Sequence, residues 1–228
     1  DVVALQETKC TDDVFAELAS DYRALGYEWA HWGVDHWNGV AMLSRIGIKN
    51  VRRGFRGRNR SPFDEARLLS ADTGGVRVAS LYVPNGRTLD DPHYLYKLLW
   101  LERLRAEIDQ DQPQVFLGDF NVAPTDIDIY DPSRWRRRTH ASPAERAAIE
   151  ALIDQGLVDV LRRHHREPEL YTWWSYRPGQ FEQNRGLRID LALASSPVAE
   201  RVDQVWVDTN ERAGDQPSDH APLVVDLN

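Results

Sequence analysis

A chain of 228 residues is long enough for one large domain and does not require two. A hydrophobic content of 42% with 28% charged residues is ordinary for a globular protein, and no apolar run reaches the roughly 20 residues of a membrane-spanning helix. The lone Cys10 excludes an intramolecular disulfide and a cysteine-rich zinc site, and the net charge of −8 does not look like that of a DNA binder.

The basic residues are nevertheless grouped. Arg52, Arg53, Arg56, Arg58 and Arg60 form one stretch, Arg134, Arg136, Arg137 and Arg138 a second, and Arg162, Arg163, His164, His165 and Arg166 a third. Each is a candidate anion-facing patch or simply a solvated loop.

Val2 to Leu5 is a short apolar run, expected as a buried strand. Thr11 to Leu25 carries Phe15, Leu18, Tyr22 and Leu25 at helical spacing, with Gly26 as the stop. Residues 39–44 and 76–83 read as strands rich in small and β-branched residues. Tyr94 to Asp111 reads as a helix with Leu95, Leu98, Leu99 and Ile108 on one side, ended by Pro113, and Val115 to Leu117 as a buried strand. Ser142-Pro143-Ala144-Glu145 is a capping box opening a helix to about Gln155. Late strands are expected at 189–193, 202–207 and 223–227. Strands interleaved with a few helices, without repeats or linkers, predict an α/β layered architecture with mixed sheets.

The chemistry sits at the strand boundaries. The first strand ends in Gln6-Glu7-Thr8, the run 78–81 in Tyr82-Val83-Pro84-Asn85-Gly86, and Val115 to Leu117 in Gly118-Asp119-Phe120-Asn121. Asp190 lies inside an apolar strand, and Ser218-Asp219-His220 precedes the last one. Carboxylates gathered at one rim repel unless a cation joins them, and oxygen donors favour Mg²⁺ or Mn²⁺ over zinc. An acid to activate water, with Asn, His and Tyr for a phosphate, suits attack on a phosphodiester. The chain has neither a G-x-S-x-G elbow nor a P-loop.

LQETK, NGVAMLS, YVPNG, GDFNVAPTDIDIYDP, TWWSYR, NRGLRIDLALAS and PSDHAPLVVDL together resemble the exonuclease III family of DNA-repair nucleases, within the endonuclease/exonuclease/phosphatase superfamily. The resemblance covers nearly the whole chain. It implies a four-layer α/β sandwich, two packed mixed β-sheets flanked by helices, like deoxyribonuclease I. It implies a Mg²⁺-dependent enzyme, with Mn²⁺ as the alternative ion, acting as a cytoplasmic, nucleoid-associated monomer on double-stranded DNA. The implied activities are 3′→5′ exonuclease, abasic-site endonuclease and clearing of blocked 3′ ends.

By the same resemblance Glu7 is a metal ligand, Asp119 activates water, and Asn121 positions water or metal. Tyr82 and His220 contact the scissile phosphate, Asp190 supports the imidazole, and Asp219 lies near a second metal position. Trp173, Trp174, Leu187 and Ile189 would line a nucleotide pocket, with Arg185 and Arg188 on phosphates. Because alternate strand residues face opposite sides, one of the two tryptophans is expected in the core, and Trp173 is preferred for the DNA side. Family members begin with a strand carrying a W-N-x-N type motif and a helix. The expectation is therefore one domain over 1–228 that lacks those elements, with their residues upstream of Asp1. The rival readings are an inositol-phosphate or lipid phosphodiesterase and a catalytically silent nucleic-acid binder.

Overall fold

The computed structural model describes residues 1–57 and 62–228. In chain order the elements are β1 (Val2–Gln6), α1 (Asp12–Ala24), β2 (Glu28–Trp32), β3 (Val40–Ser44), β4 (Lys49–Arg53), β5 (Leu68–Thr73) and β6 (Val76–Tyr82). Then come α2 (Pro92–Arg105), β7 (Gln114–Asp119), α3 (Pro132–Trp135), α4 (Pro143–Ile153), β8 (Leu157–Asp159) and α5 (Val160–His164). The chain closes with β9 (Asp190–Ser195), α6 (Ser196–Ala199), β10 (Val202–Val207), α7 (Thr209–Arg212) and β11 (Leu223–Leu227).

Among the described residues the strands form a six-stranded sheet in the order β4-β5-β6-β7-β9-β8, a three-stranded sheet β1-β3-β2 and a hairpin-like pair β10-β11. Only β6 and β7 run parallel; the other pairings are antiparallel. The two-residue period of the strands then divides the core into layers. Val40 and Met42 point between the sheets, where they meet Leu69, Val78, Val115, Ala192 and Ala194. Their neighbours Ala41 and Leu43 point outward onto Phe15 and Ala19 of α1. On the far side, Ala79, Leu81, Phe116, Leu191 and Leu193 meet Trp100, Leu101 and Leu104 of α2 and Ile149 and Leu152 of α4. Helix, sheet, sheet, helix is the four-layer sandwich expected. Each fully buried Leu or Met side chain contributes about 1.5–3 kcal/mol relative to exposure.

Local signals set the helix ends. The Thr11 side chain accepts from Val14 N, and Asp12 and Asp13 face the positive end of α1. Ser142 and Glu145 cap α4 reciprocally, with Pro143 in the first turn.

The helix faces differ from the expectation. In α1 the expected Phe15 is buried, together with Ala19, but Leu18 and Leu25 are each 60% exposed. Helix α2 ends at Arg105, and Leu95 and Leu99 are exposed. Its buried stripe is Lys97, Trp100, Leu101 and Leu104, whose spacing is correct for a helix but whose first member is a lysine. Strands β2, β4, β5 and β8 were not expected, because their charged or short sequences lack a clean alternation. No helix among the described residues is long and apolar enough to cross a membrane.

Candidate active site

The sheet register assembles the site. Tyr82 and Asp119 are partners at the ends of parallel β6 and β7, and Asp119 is opposite Asp190 on β9. Glu7 arrives from the other sheet, immediately after β1. The two sheets are stitched there by Gln6 Nε2 donating to Ser80 Oγ (3.0 Å) and Ser80 Oγ donating to Leu5 O (3.0 Å). Gly118 makes this close approach feasible: with φ at +136°, a Cβ would sit 2.1 Å from Leu81 O and 3.1 Å from the Gln6 amide.

Ligand atoms of Glu7, Asp119 and His220 come within 4.8 Å of one another. Asp119 is buried and held from both sides by Asn121, whose backbone N–H donates to Oδ1 (2.7 Å) and whose Nδ2 donates to Oδ2 (2.9 Å). Asn121 Nδ2 also donates to Val83 O, and its Oδ1 accepts from Asn85 Nδ2 at 3.2 Å. Asn121 adopts this position at φ +53°, a left-handed conformation that asparagine tolerates better than most residues. Asp190 Oδ2 accepts from His220 Nδ1 at 2.8 Å, and its backbone N–H donates to Thr172 Oγ1. Thr172 O in turn accepts from Ala221 N, fixing the two segments side by side.

The electrostatics follow from this packing. Burial lifts the Asp119 carboxyl to about 7; the Asp190 and Glu7 charges add to the lift, while His220 and the Asn121 N–H oppose it. Burial pulls His220 down, but the charge and hydrogen bond of Asp190 outweigh it, and the imidazole is pushed up to about 10. Burial, reinforced by the charges of Glu7 and Asp119, raises Tyr82 above its ordinary 10, so its hydroxyl stays protonated. The Arg67 guanidinium lies 4.8 Å over the Tyr82 ring and donates to Tyr82 O.

Glu7 itself has φ +51°. The turn that carries it is braced by Thr8, whose hydroxyl is 2.8 Å from His31 Nε2. His31 Nδ1 is 2.8 Å from Asp12 Oδ1, and the ring stacks on Phe15 with centroids 4.1 Å apart. Burial lowers the His31 pKa although Asp12 opposes it, which leaves a neutral ring that donates to Asp12 and accepts from Thr8.

The carboxylate oxygens of Glu7 and Asp119 suit a hard divalent cation, whereas Asn121, expected beside the metal, turns its Oδ1 to Asn85 and its Nδ2 to Asp119. Glu7 and Asp119 could hold such an ion between them, and burial together with the neighbouring Asp190 and Glu7 charges lifts the Asp119 carboxyl to about 7 without one. A zinc preference is not supported: the histidine of the group commits Nδ1 to Asp190 and no thiol joins it.

The other expected residues divide. Asp219 stands outside the three-residue group, and its Oδ2 accepts from Trp173 Nε1 at 2.9 Å. Trp173 is half-buried and bridges to both Leu187 and His220, so it borders the site. Trp174 is core, packed edge-on against Phe181 with Nε1 donating to Asn184 Oδ1. Leu187 and Ile189 are fully buried in the cluster beneath Trp173 and present no surface to a nucleotide. Arg185 is exposed, whereas Arg188 is 0% exposed, with Nε donating to Asp128 Oδ1 and its NH2 group 2.8 Å from Asp159. A phosphate contact is therefore not what Arg188 offers; two buried carboxylates claim it.

The basic stretches are also partly spent internally. Arg53 pairs with Asp12, Arg52 and Arg56 with Glu107, and Arg162 with Asp128, while Arg58 and Arg60 lie outside the described residues. Arg136, Arg137 and Arg138 are exposed.

Sequence reasoning missed Asn85 as a partner of Asn121, the Thr8–His31–Asp12 chain, and a buried group formed by Lys97, Thr139, His140 and Glu145.

The family described as Endonuclease/Exonuclease/phosphatase matches residues 1–220. Exodeoxyribonuclease III of Haemophilus influenzae is 34% identical, over 98% of this chain and 88% of its own length. The solved structure of the 3′ phosphatase NExo from Neisseria, bound to a product DNA hairpin, matches with a TM-score of 0.94 at 37% identity, over 100% of this chain and 89% of that one. An AP endonuclease from Archaeoglobus fulgidus matches with a TM-score of 0.94 at 36% identity and the same coverage.

Proposed function

The chain belongs to the endonuclease/exonuclease/phosphatase family, and from that membership we propose that it is a Mg²⁺-dependent DNA-repair nuclease. Its substrate is double-stranded DNA. It removes nucleotides 3′→5′, incises at abasic sites and clears blocked 3′ ends, with Mn²⁺ able to replace Mg²⁺. The observation that carries the reading is the convergence of Glu7, Asp119 and His220, drawn from both sheets, within 4.8 Å. One chain supplies every residue of the group, which supports action as a monomer.

A divalent cation held by Glu7 and Asp119 would neutralise charge on the phosphate and on the leaving oxygen. The residues do the rest. Asp119 takes the proton of the attacking water; before a cation binds, burial lifts its carboxyl to about 7. Asn121 keeps both Asp119 oxygens oriented. His220 is held cationic by Asp190, and with Nδ1–H committed there, Nε2–H remains to donate to a phosphate oxygen. The protonated Tyr82 hydroxyl is a second donor. Trp173, backed by Leu187 and tied to Asp219, is the flat surface beside the site for a nucleotide or for the gap an abasic site leaves. Arg185 and the exposed Arg136 to Arg138 supply phosphate contacts that the net charge of −8 would not suggest.

The test is direct. The purified protein, given Mg²⁺, should cleave an abasic-site duplex and shorten a 3′-recessed duplex. If both stay intact under conditions where the protein is folded, the reading fails.

A further inference from the structure

We propose that the buried Lys97–Glu145 ion pair, together with Thr139 and His140, is a positioning device for Asn121 and Asn85. Lys97 and Glu145 are both 0% exposed and bonded to each other where α2 meets α4. Taking two charges out of water is seldom repaid by their attraction, and an apolar pair of the same volume is often as stable or more so. Stability alone is therefore a poor account of this pair, and the destination of its hydrogen bonds is a better one.

Besides Glu145, the Lys97 ammonium donates to Asn121 O (2.7 Å) and Asn85 O (3.2 Å), with Thr139 Oγ1 beside it at 3.3 Å. The Thr139 hydroxyl is 2.8 Å from Asn85 O and 2.7 Å from Glu145 Oε1, as donor to one of them. Glu145 Oε1 also accepts from His140 N at 2.9 Å, and His140 Nδ1 donates to Asn121 O at 2.6 Å. The donors thus converge on two backbone carbonyls, those of Asn85 and Asn121. These residues follow different strands, β6 and β7, and their side chains join at 3.2 Å before Asn121 reaches Asp119. Asn121 and His140 both hold left-handed backbones, at φ +53° and +80°, which non-glycine residues keep only when neighbours over-determine them. The packing has no slack: a Cβ on Gly86 would come within 2.9 Å of Thr139 Oγ1 and 3.1 Å of Lys97 Cδ.

The consequence is kinetic. With the Lys97 donor gone, Asn121 O keeps only the His140 bond, and the amide that orients Asp119 can rotate or shift. A displacement of about 1 Å in a reacting geometry costs on the order of 100-fold in rate. Substrate binding, which uses other residues, should be spared. This inference rests on the nuclease reading for its kinetic arm only.

The decisive variant is Lys97→Met combined with Glu145→Gln, which removes both charges and keeps one side-chain oxygen, enough for either His140 N or Ser142 N, which Glu145 serves with separate oxygens. Cleavage of an abasic duplex with Mg²⁺ should lose about 10- to 100-fold in kcat with KM unchanged, measured at a temperature below the variant's own thermal midpoint, where it is folded. In ¹H–¹⁵N spectra the side-chain amide signals of Asn85 and Asn121 should move, with the remaining spectrum preserved. Thr139→Val, a milder change, should move the same two signals and lower kcat by about three-fold or more. Wild-type kcat with unmoved amide signals in a folded variant overturns the proposal, as does a kcat loss that merely tracks the unfolded fraction. Should the double variant fail to fold, Thr139→Val decides on the same two readouts. If the wild-type protein cleaves no DNA, the proposed function falls, and the amide signals alone still decide the positioning.

Discussion

Asp119 and Asp190 are cross-strand partners at the rim of β7 and β9, yet each is committed to a different neighbour. Asp119 is gripped by Asn121, and Asp190 by His220. In the proposed mechanism the two acids divide the labour: Asp119 accepts a proton, and Asp190 holds the His220 cation in place.

The Asp190→Asn variant tests that division. His220 is raised from 6.5 to about 10, so the pair contributes stability that is fully present below 6.5 and is lost as pH rises through about 10. Removing the carboxylate removes the lift. The basic limb of the kcat/KM profile should therefore move from near pH 10 toward neutrality, and kcat at pH 8 should fall by about 10- to 1,000-fold. A pH–rate series, with NMR titration of the His220 ring, checks both. An unmoved basic limb would mean that Asp190 does not set the charge of His220.

Asp119→Asn should abolish cleavage, by about 100- to 10,000-fold, the range general-base removal produces. Its stability signature runs opposite to that of an ordinary salt-bridged acid. Because burial raises Asp119 from 3.8 to about 7, its contribution is present below 3.8 and lost as pH rises through about 7. Relative to wild type, the metal-free variant should gain stability between those values and level off above them. Mg²⁺ should raise the wild-type melting temperature at pH 8 more than that of the variant. Thermal melts with EDTA and with Mg²⁺ measure both differences.

The turn holding Glu7 supplies a third prediction. His31→Leu leaves the Thr8 hydroxyl without its partner and removes the ring stacked on Phe15. A loss of about 1–3 kcal/mol in unfolding free energy is expected, the cost of a broken buried hydrogen bond. Since Glu7 sits at φ +51° on that turn, Mg²⁺ affinity should weaken as well. Denaturant unfolding and calorimetric Mg²⁺ titration separate the two effects. Unchanged Mg²⁺ affinity in a destabilised variant would confine His31 to a structural role.

The strand-end motifs were legible because chemistry and topology coincide there: polar residues follow, interrupt or precede short apolar runs. Glu7, Tyr82, Asp119, Asn121, Asp190 and His220 lie in those motifs, the family resemblance singled them out, and the structure brings them to one rim. What was illegible depends on contacts distant in sequence. Lys97 reads as a solvent-facing helix residue until Glu145, 48 positions later, neutralises it. Arg188 beside Ile189 and Asp190 looks like a phosphate contact, and only the fold reveals that Asp128 and Asp159 converge on it from two other segments. Likewise Leu18 and Leu95 satisfy a helical period while facing water, because periodicity gives a stripe without saying which stripe meets the sheet.

The contrast between two arginines in one motif gives the last prediction. Arg188 is enclosed by Asp128 and Asp159, and Arg162 also pairs with Asp128. Arg188→Met leaves buried carboxylates short of a counter-ion, which typically costs about 3–5 kcal/mol. Because the site lies at the surface and Arg188 does not, the salt dependence of duplex binding should not change. Arg185 is exposed three residues earlier. Arg185→Ala should leave stability within about 0.5 kcal/mol. It should also reduce the slope of log K against log salt by about 1, as loss of one phosphate contact does. Fluorescence anisotropy with labelled duplex in EDTA, from low to moderate salt, reads the slopes, and denaturant melts read the stabilities. A reduced slope for Arg188→Met at full stability would return that residue to the DNA interface, and an unchanged slope for Arg185→Ala would remove Arg185 from it.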